Sequence, residues 1–188
     1  SYVGAGEALV LDLGAQGLNA GAAAGDLLLG VEEVSGTGLA DQLTGDGLAN
    51  TLRGEGGADG LSGAGGNDAL YGGDGDDTLT GGAGADRLEG GLGRDLVSHA
   101  DAGAGVLADL AAPWVNLGDA KGDVYLAVED LQGSGHSDTL RGDGLANLVE
   151  GLAGHDALWG RAGNDTLIGG EGDDTLIGGP GADTLAGG

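Results

Sequence analysis

The sequence is most unusual for what is missing from it. Its 188 residues include no cysteine, no phenylalanine and no methionine, only 2 prolines, and 3% aromatic residues in total. Without cysteine there is neither a disulfide framework nor a thiolate metal site. No run of about 18 apolar residues occurs, so the sequence predicts no membrane-spanning helix. Stability has to come from something other than crosslinks or a large aromatic core.

Basic residues are scarce as well. Six Lys and Arg stand against 31 Asp and Glu, which gives a formal net charge of −25 at pH 7. This balance excludes nucleic-acid binding, because that function needs clustered Lys and Arg to neutralise phosphates. A folded chain with this charge repels itself unless cations bind to it. The composition therefore indicates a cationic partner.

Glycine is in excess, at 47 of 188 residues. Such a content without a collagen-like period is usually typical of disorder. Here, however, the glycines recur in a nine-residue unit that opens with Gly, carries Asp or Asn at position six and Leu or Val at position eight. A disordered acidic linker has no reason to keep Leu at one position of every unit, so the period favours a repetitive fold.

A longer repeat contains the shorter one. Shifting the chain by 97 residues aligns residues 1–91 with 98–188 without a gap, and roughly half of the positions are identical. We interpret this as a tandem duplication within one continuous solenoid. The chain starts without Met and stops within a repeat, which suggests an excerpt of a longer protein.

Each of the two long units has an irregular part and a regular part. Residues 1–35 and 99–132 lack the nine-residue pattern, whereas residues 36–98 and 133–188 are repeat blocks. The irregular parts contain apolar patches that predict strands joined by longer loops. We expect them to form irregular coils of the same stack. The patches lie at residues 10–13, 27–34, 106–110 and 124–131.

One nonapeptide has room for a turn and a very short strand. The first six residues are rich in glycine, which tolerates the positive φ of tight turns. The last three, such as residues 78–80, form a strand whose central Leu alone points inward. Two units make a flattened coil of 18 residues, and coils stacked about 4.8 Å apart pair in parallel. The sequence predicts an all-β fold, a parallel β-roll or β-solenoid with two short strands per coil and irregular longer coils between the repeat blocks.

The same stacking places position-six carboxylates 18 residues apart above one another. Carboxylates one strand spacing apart repel unless a cation lies between them. Oxygen ligands in flexible geometry favour Ca²⁺ over Zn²⁺, and Mg²⁺ demands a stricter octahedron. We therefore predict several Ca²⁺ ions along the turns. The candidate carboxylates are Asp41, Asp59, Asp68, Asp77, Asp86, Asp95, Asp138, Asp156, Asp165, Asp174 and Asp183.

These nonapeptides resemble the RTX (repeats-in-toxin) motif, G-G-x-G-x-D-x-U-x, a Ca²⁺-binding repeat of parallel β-helices. The resemblance is strongest at residues 72–98 and 169–186, where both leading glycines are present. Asn50 and Asn147 depart from the motif, so we expect weaker or empty sites in the first units of each block. The resemblance implies that turn carbonyls also bind the ions, namely those of Gly73, Gly75, Gly82, Gly84, Gly170, Gly172, Gly179 and Gly181.

The resemblance also implies a function. RTX modules leave the cell by type I secretion and fold on binding Ca²⁺ outside it. We expect a calcium-binding structural module of a secreted or surface-displayed bacterial protein, acting as a rigid spacer, adhesin or surface-assembly element, and not an enzyme. The alternative is a carbohydrate-binding or stabilising accessory module of an extracellular enzyme of the alginate epimerase, protease or lipase type. Self-association and contact with a cell surface or polysaccharide stay open.

The few histidines and aromatic residues leave a smaller question. We expect His99, His136 and His155 to be exposed turn residues rather than Zn²⁺ ligands. Tyr71 and Trp159 both occupy position nine, on the outward face of a strand. The aromatic residues are either part of a sugar-stacking surface or ordinary exposed or edge-packed side chains, and they are Tyr2, Tyr71, Trp114, Tyr125 and Trp159.

Overall fold

In the computed structural model the chain forms a parallel β-solenoid of about 9 turns. The structure describes the backbone of residues 1–188 and every side chain except that of residue 16. The helical segments are three short 3-10 turns, Gln16–Leu18, Pro113–Val115 and Gly118–Ala120. Among the described residues, no helix has the length and apolar character needed to cross a membrane. The predicted all-β solenoid is confirmed.

The solenoid has a continuous side, formed by one ten-stranded sheet, and a divided side, formed by two smaller sheets. The strands of the continuous side are β1 (Leu9–Asp12), β2 (Ala20–Gly21), β4 (Gln42–Thr44), β6 (Gly60–Ser62), β8 (Thr78–Thr80), β10 (Leu96–Ser98), β13 (Asp130–Gln132), β15 (Leu148–Ala153), β17 (Thr166–Glu171) and β19 (Thr184–Ala186).

The divided side changes sheets at the junction of the two long units. Its first sheet contains β3 (Glu33–Ser35), β5 (Thr51–Gly56), β7 (Ala69–Asp74), β9 (Arg87–Leu92) and β12 (Val124–Leu126). Its second sheet contains β11 (Leu107–Asp109), β14 (Thr139–Arg141), β16 (Ala157–Trp159) and β18 (Thr175–Ile177). Every pair of neighbouring strands is parallel except β1 and β2.

Position eight of the repeat builds the core. On the continuous side Leu43 pairs in register with Leu61, which pairs with Leu79, and all three are at most 2% exposed. The side chains before and after each Leu point outward, as the two-residue period of a strand requires. Burial of each such Leu contributes about 1.5–3 kcal/mol. Inward leucines on both sides therefore replace the missing aromatic core.

The duplication places equivalent strands on opposite sides of the solenoid. Strand β4 lies on the continuous side, but its equivalent 97 residues later, β14, lies on the divided side. Conversely, β3 lies on the divided side and its equivalent β13 on the continuous side. A surface residue of the first unit and its counterpart in the second unit thus face in opposite directions.

The irregular segment 99–132 is fastened to both repeat blocks. Its strand β12 pairs with β9 of the first block, and its strand β11 pairs with β14 of the second. The Arg94 guanidinium makes two hydrogen bonds to the Asp130 carboxylate, at 2.7 and 2.8 Å. The buried Asp109 carboxylate accepts a hydrogen bond from Arg161 at 2.7 Å.

The irregular segment 1–35 differs from the prediction at one of its apolar patches. A strand is present at Glu33–Ser35, but residues 27–32 form none, and Leu27 and Leu29 are 70% and 76% exposed. The physical reason is the lack of a neighbour. Strand β3 is the outermost strand of its sheet, whereas the equivalent of residues 27–29 in the second unit pairs with β9.

Candidate metal centre

The position-six side chains stand at the ends of turns, one residue before a strand, and hydrogen bonds connect them along the stack. In the regular rungs the Oδ1 atom accepts a hydrogen bond from the backbone N–H of the position-six residue one coil earlier. The distances are 2.7 Å from Asp41 to Asp59, 2.8 Å from Asp59 to Asp77 and 2.9 Å from Asp77 to Asp95. The parallel register of the strands enforces this spacing, because it places residues 18 apart at the same height.

Two such columns run along the two edges of the solenoid. The first ladder contains Asp41, Asp59, Asp77, Asp95, Glu129, Asn147, Asp165 and Asp183. The second ladder contains Asn50, Asp68, Asp86 and Asp123 and, after an interruption, Asp138, Asp156 and Asp174. All predicted carboxylates therefore lie in the ladders. Sequence reasoning missed Glu129 and Asp123, which belong to the irregular segment and fall outside the clear nonapeptides.

Most of these carboxylates keep one oxygen without a partner. Their Oδ2 atoms are buried and have no hydrogen bond, and we call such residues open rungs. Burying an unpartnered carboxylate oxygen is costly, so a group outside the protein chain has to satisfy it. The open rungs are Asp59, Asp68, Asp77, Asp86, Asp95, Asp123, Asp156, Asp165 and Asp174.

The first rungs of each repeat block are closed by the protein itself. The Asp41 Oδ2 atom accepts the Thr37 N–H at 2.6 Å, and the Asp138 Oδ2 atom accepts the Ser134 N–H at 2.6 Å. In Asn50 the side-chain oxygen accepts the N–H of residue 46 at 2.8 Å. These residues act as caps of their turns. Whether Asp41 and Asp138 bind Ca²⁺ stays a prediction, but their oxygens already have partners.

The backbone at position two distinguishes the open turns from the closed ones. In closed turns the position-two N–H points at the position-six side chain. In the open turns of the two repeat blocks position two adopts positive φ, even where it is Glu55 (77°), Ala64 (69°), Leu152 (78°) or Arg161 (77°). A non-glycine residue in this region costs about 1 kcal/mol or more, and such strain is concentrated at functional sites. The strained turn leaves the carboxylate oxygen free for another ligand.

Glycine at position one is required by the same geometry. A Cβ atom at Gly72 would overlap the Asp77 Oδ2 atom and would lie 2.6 Å from the carbonyl oxygen of Gly90, one coil further on. The open oxygen and the position-one carbonyl of the next coil therefore border the same space. Sequence reasoning named carbonyls at positions two and four, such as Gly73 and Gly75, as ligands, and that assignment stays a prediction. The contact with position one could have been recognised from the invariance of the first glycine in the repeat.

Burial makes the open carboxylates resist ionisation. It raises the pKa of Asp59, Asp68 and Asp95 to about 6, while the hydrogen bond from the coil below opposes this and neighbouring carboxylates add to it. The same burial raises the pKa of Asp77 and Asp86. A cation beside these oxygens would reverse the effect, because it stabilises the charged form.

The arrangement suits a large oxygen-binding cation. Among the described residues no three Asp, Glu, His or Cys side chains converge on one point as a metal site. An ion between two rungs would therefore meet carboxylates from successive coils and would need turn carbonyls to complete its shell. Six to eight oxygen ligands in flexible geometry are what Ca²⁺ takes.

One histidine is placed differently from the prediction. His99 is 3% exposed, and its Nε2 atom lies 3.1 Å from the hydroxyl of the buried Tyr125. Burial lowers the pKa of His99 to about 4. The expectation of an exposed turn residue was wrong for His99, because it packs in the junction between the two units. His136 and His155 are exposed, as expected.

Comparison with known protein families agrees with this geometry. The family described as RTX calcium-binding nonapeptide repeat matches the chain in 4 copies, at residues 35–70, 62–97, 132–167 and 159–188. Together the matches span more than half of the chain and leave out residues 1–34 and 98–131. No curated protein sequence matches the chain.

Proposed function

Because the chain belongs to the RTX calcium-binding nonapeptide repeat family, we propose that it is a structural module whose folding is driven by Ca²⁺. The observation that carries this proposal is the row of open rungs, whose buried Oδ2 atoms have no partner within the protein. Ca²⁺ between successive open rungs would satisfy these oxygens and neutralise the repulsion along each ladder.

Five intervals between position-six carboxylates inside the repeat blocks meet this description. Each begins at an open rung and has a carboxylate one coil further on. We propose one Ca²⁺ ion in each. The intervals are Asp59/Asp77, Asp77/Asp95, Asp68/Asp86, Asp156/Asp174 and Asp165/Asp183.

Without Ca²⁺ the stack should not persist at neutral pH. The chain carries a net charge of −25 and lines up buried carboxylates one coil apart, so ionised ladders oppose coil stacking. When the site forms only in the folded state, the free energy of metal binding becomes free energy of folding. Scarce Ca²⁺ inside a cell and abundant Ca²⁺ outside would then keep the chain unfolded until export.

This behaviour suits a secreted or surface-displayed bacterial protein exported by type I secretion. We propose that the Ca²⁺-loaded module serves as a rigid spacer, adhesin or surface-assembly element. We propose no enzymatic role for it, because its ladder carboxylates bond to the backbone of the neighbouring coil instead of converging on a substrate pocket.

Circular dichroism in the far ultraviolet tests the proposal. We expect a coil spectrum in excess chelator at pH 7 and a β spectrum after addition of Ca²⁺. Asp77→Ala and Asp174→Ala should weaken Ca²⁺ binding. Asn50→Ala and Asn147→Ala serve as matched controls with small effects, because each Asn Oδ1 atom already accepts a backbone N–H of its own turn. The same β spectrum in chelator and in Ca²⁺ would contradict metal-coupled folding.

A second candidate function follows from the outer surface of the divided side. There the guanidinium of Arg53 lies 4.9 Å from the ring centroid of Tyr71, that of Arg87 lies 5.9 Å from the same ring, and Arg141 lies 5.1 Å from Trp159. Aromatic faces suit stacking against sugar rings, and guanidinium groups donate hydrogen bonds to sugar hydroxyls. We propose contact with a polysaccharide at this surface. Loss of polysaccharide binding in Tyr71→Ala and Trp159→Ala, with the β spectrum intact, would support it; unchanged binding would exclude it.

A further inference from the structure

The junction between the two long units contains an open rung that no nonapeptide match covers. Asp123 lies in the irregular segment, between the matched residues 35–97 and 132–188. Its Oδ1 atom accepts the Asp86 N–H at 3.0 Å, although the two residues are 37 apart in sequence instead of 18. Asp123 is 1% exposed, and the Oδ2 atoms of Asp86 and Asp123 are both buried without a hydrogen-bond partner.

The strand after Asp123 pairs as the strands of regular coils do, although the turn before it differs, with positive φ at Gly118 and Gly122 instead of at position two. Strand β12 pairs with β9 so that Val124 lies opposite Arg87 and Tyr125 lies opposite Leu88. Val124 directly follows Asp123, and Arg87 directly follows Asp86. The Val124 N–H donates to the Asp86 carbonyl at 2.8 Å, as the corresponding groups do between regular coils. Residues 118–126 therefore form a hidden repeat, with glycine at position one, aspartate at position six and tyrosine in place of leucine at position eight.

The backbone of this hidden repeat lies close to the turn that contains Asp86. Gly122 has a positive φ of 94°, and a Cβ atom there would lie 2.8 Å from the Ala85 Cβ atom. Only glycine lets the hidden repeat approach the turn that contains Asp86. Burial raises the pKa of Asp123 to about 7, and the negative charges of Asp86 and Asp119 raise it further. The two carboxylates of this interval match those of the regular open rungs in burial and in their unpartnered Oδ2 atoms.

We propose that Asp86 and Asp123 bind a Ca²⁺ ion that joins the two long units. The proposal rests on the proposed function, since it extends the same chemistry to a segment outside the motif. Asp86 comes from the first unit and Asp123 from the second, so a single unit has only half of the site. The ion would fasten the irregular segment to the first repeat block and make the junction stiff only when Ca²⁺ is present.

The first unit supplies the natural comparison. The residue equivalent to Asp123 is Asp26, in residues 21–29, which show the same spacing of glycine and aspartate. Asp26 is exposed, and its Oδ2 atom accepts the Tyr2 hydroxyl at 2.6 Å. It has a hydrogen-bond partner and no carboxylate rung beneath it in the stack. The same position of the repeat is thus a site only where another coil supports it.

The number of ions bound to the full 188-residue chain tests the proposal. Asp123→Asn mimics the natural Asn50 and Asn147 rungs, and Asp26→Asn is its matched control. By equilibrium dialysis with Ca²⁺, we expect Asp123→Asn to bind one ion fewer than the unchanged chain and Asp26→Asn to bind the same number. Equal ion counts in all three chains, with the β spectrum retained, would overturn the junction site and leave Ca²⁺-dependent folding intact. No Ca²⁺ binding in any of them would overturn the proposed function itself.

A second measurement does not depend on the folding of the Asp123 variant. Trp114 and Asp123 line the same groove, of about 550 Å³. In a Trp159→Phe chain with Asp123 intact, Tb³⁺ added in place of Ca²⁺ should show luminescence sensitised by Trp114. Tb³⁺ binding without this luminescence would contradict an ion at the junction.

Discussion

Residues 21–29 and 118–126 are equivalent segments of the two long units, and they fold differently. In the second unit Val124–Leu126 is a strand, Tyr125 is buried and Asp123 is an open rung. In the first unit Leu27 and Leu29 are exposed and belong to no strand. The second segment rests on β9, whereas the first has no strand to pair with. The comparison shows that a segment of this solenoid forms a strand only where a neighbouring strand pairs with it, as expected for a stack stabilised by nearest-neighbour contacts.

The largest expected effect follows from removal of that neighbour. A chain of residues 99–188 lacks β9, so Val124–Leu126 should lose its protection from hydrogen exchange in Ca²⁺ and resemble residues 27–29. Strand β13 should stay protected, because its partner β15 remains. Hydrogen exchange measured by mass spectrometry checks both. Full protection of residues 124–126 in the shortened chain would show that the segment folds without a neighbour.

The second prediction concerns pH in the absence of Ca²⁺. Burial raises the pKa of Asp59, Asp68 and Asp95 to about 6 and that of Asp123 to about 7, all above the ordinary value of 3.8. The folded state therefore binds more protons than the unfolded state. The free-energy cost of burying these carboxylates in ionised form is complete at pH values above the raised pKa values and absent below about pH 3.8.

Lowering the pH from 7 to 4 in chelator should accordingly increase β structure, with acid replacing Ca²⁺. The buried His99, whose pKa is lowered to about 4, opposes the change but is one group against several. Far-ultraviolet circular dichroism checks the direction. A β content that falls on acidification would contradict buried, unpartnered carboxylates.

A smaller difference in the free energy of unfolding is expected between loss of the Tyr125 hydrogen bond and loss of the Tyr2 hydrogen bond. Tyr125→Phe leaves the buried His99 without its partner, which should lower the free energy of unfolding by about 1–3 kcal/mol. Tyr2→Phe removes only the exposed bond to Asp26 and should cost less than about 0.5 kcal/mol. Urea unfolding in saturating Ca²⁺ measures both. Equal losses would mean that the junction is no better packed than the first segment.

The smallest effect is expected at the exposed leucines of the first unit. Leu29→Ser should change the free energy of unfolding by less than about 0.5 kcal/mol, because Leu29 is 76% exposed. Leu88→Ala, which removes the buried partner of Tyr125, should cost about 2–5 kcal/mol and serves as the reference. A large loss in Leu29→Ser would indicate that this segment packs against something in solution.

Much of the regular stack could be predicted from the sequence. The recurrence of Leu at position eight and Asp at position six leads directly to inward leucines and stacked carboxylates, as found for Leu61 and Asp59. Two features of the structure could not be predicted from the sequence. The hidden repeat at residues 118–126 matches the pattern at few positions, and only pairing with β9 reveals it. The distinction between open and closed rungs depends on positive φ at residues such as Glu55, which side-chain identity does not indicate.

The most direct test of Ca²⁺ binding by the open rungs is long-wavelength anomalous diffraction from crystals grown with Ca²⁺. We predict anomalous peaks in two columns along the edges of the solenoid, between carboxylates such as Asp59 and Asp77 or Asp156 and Asp174 and beside their Oδ2 atoms. Peaks found only at exposed carboxylates, with none between successive open rungs, would contradict the account.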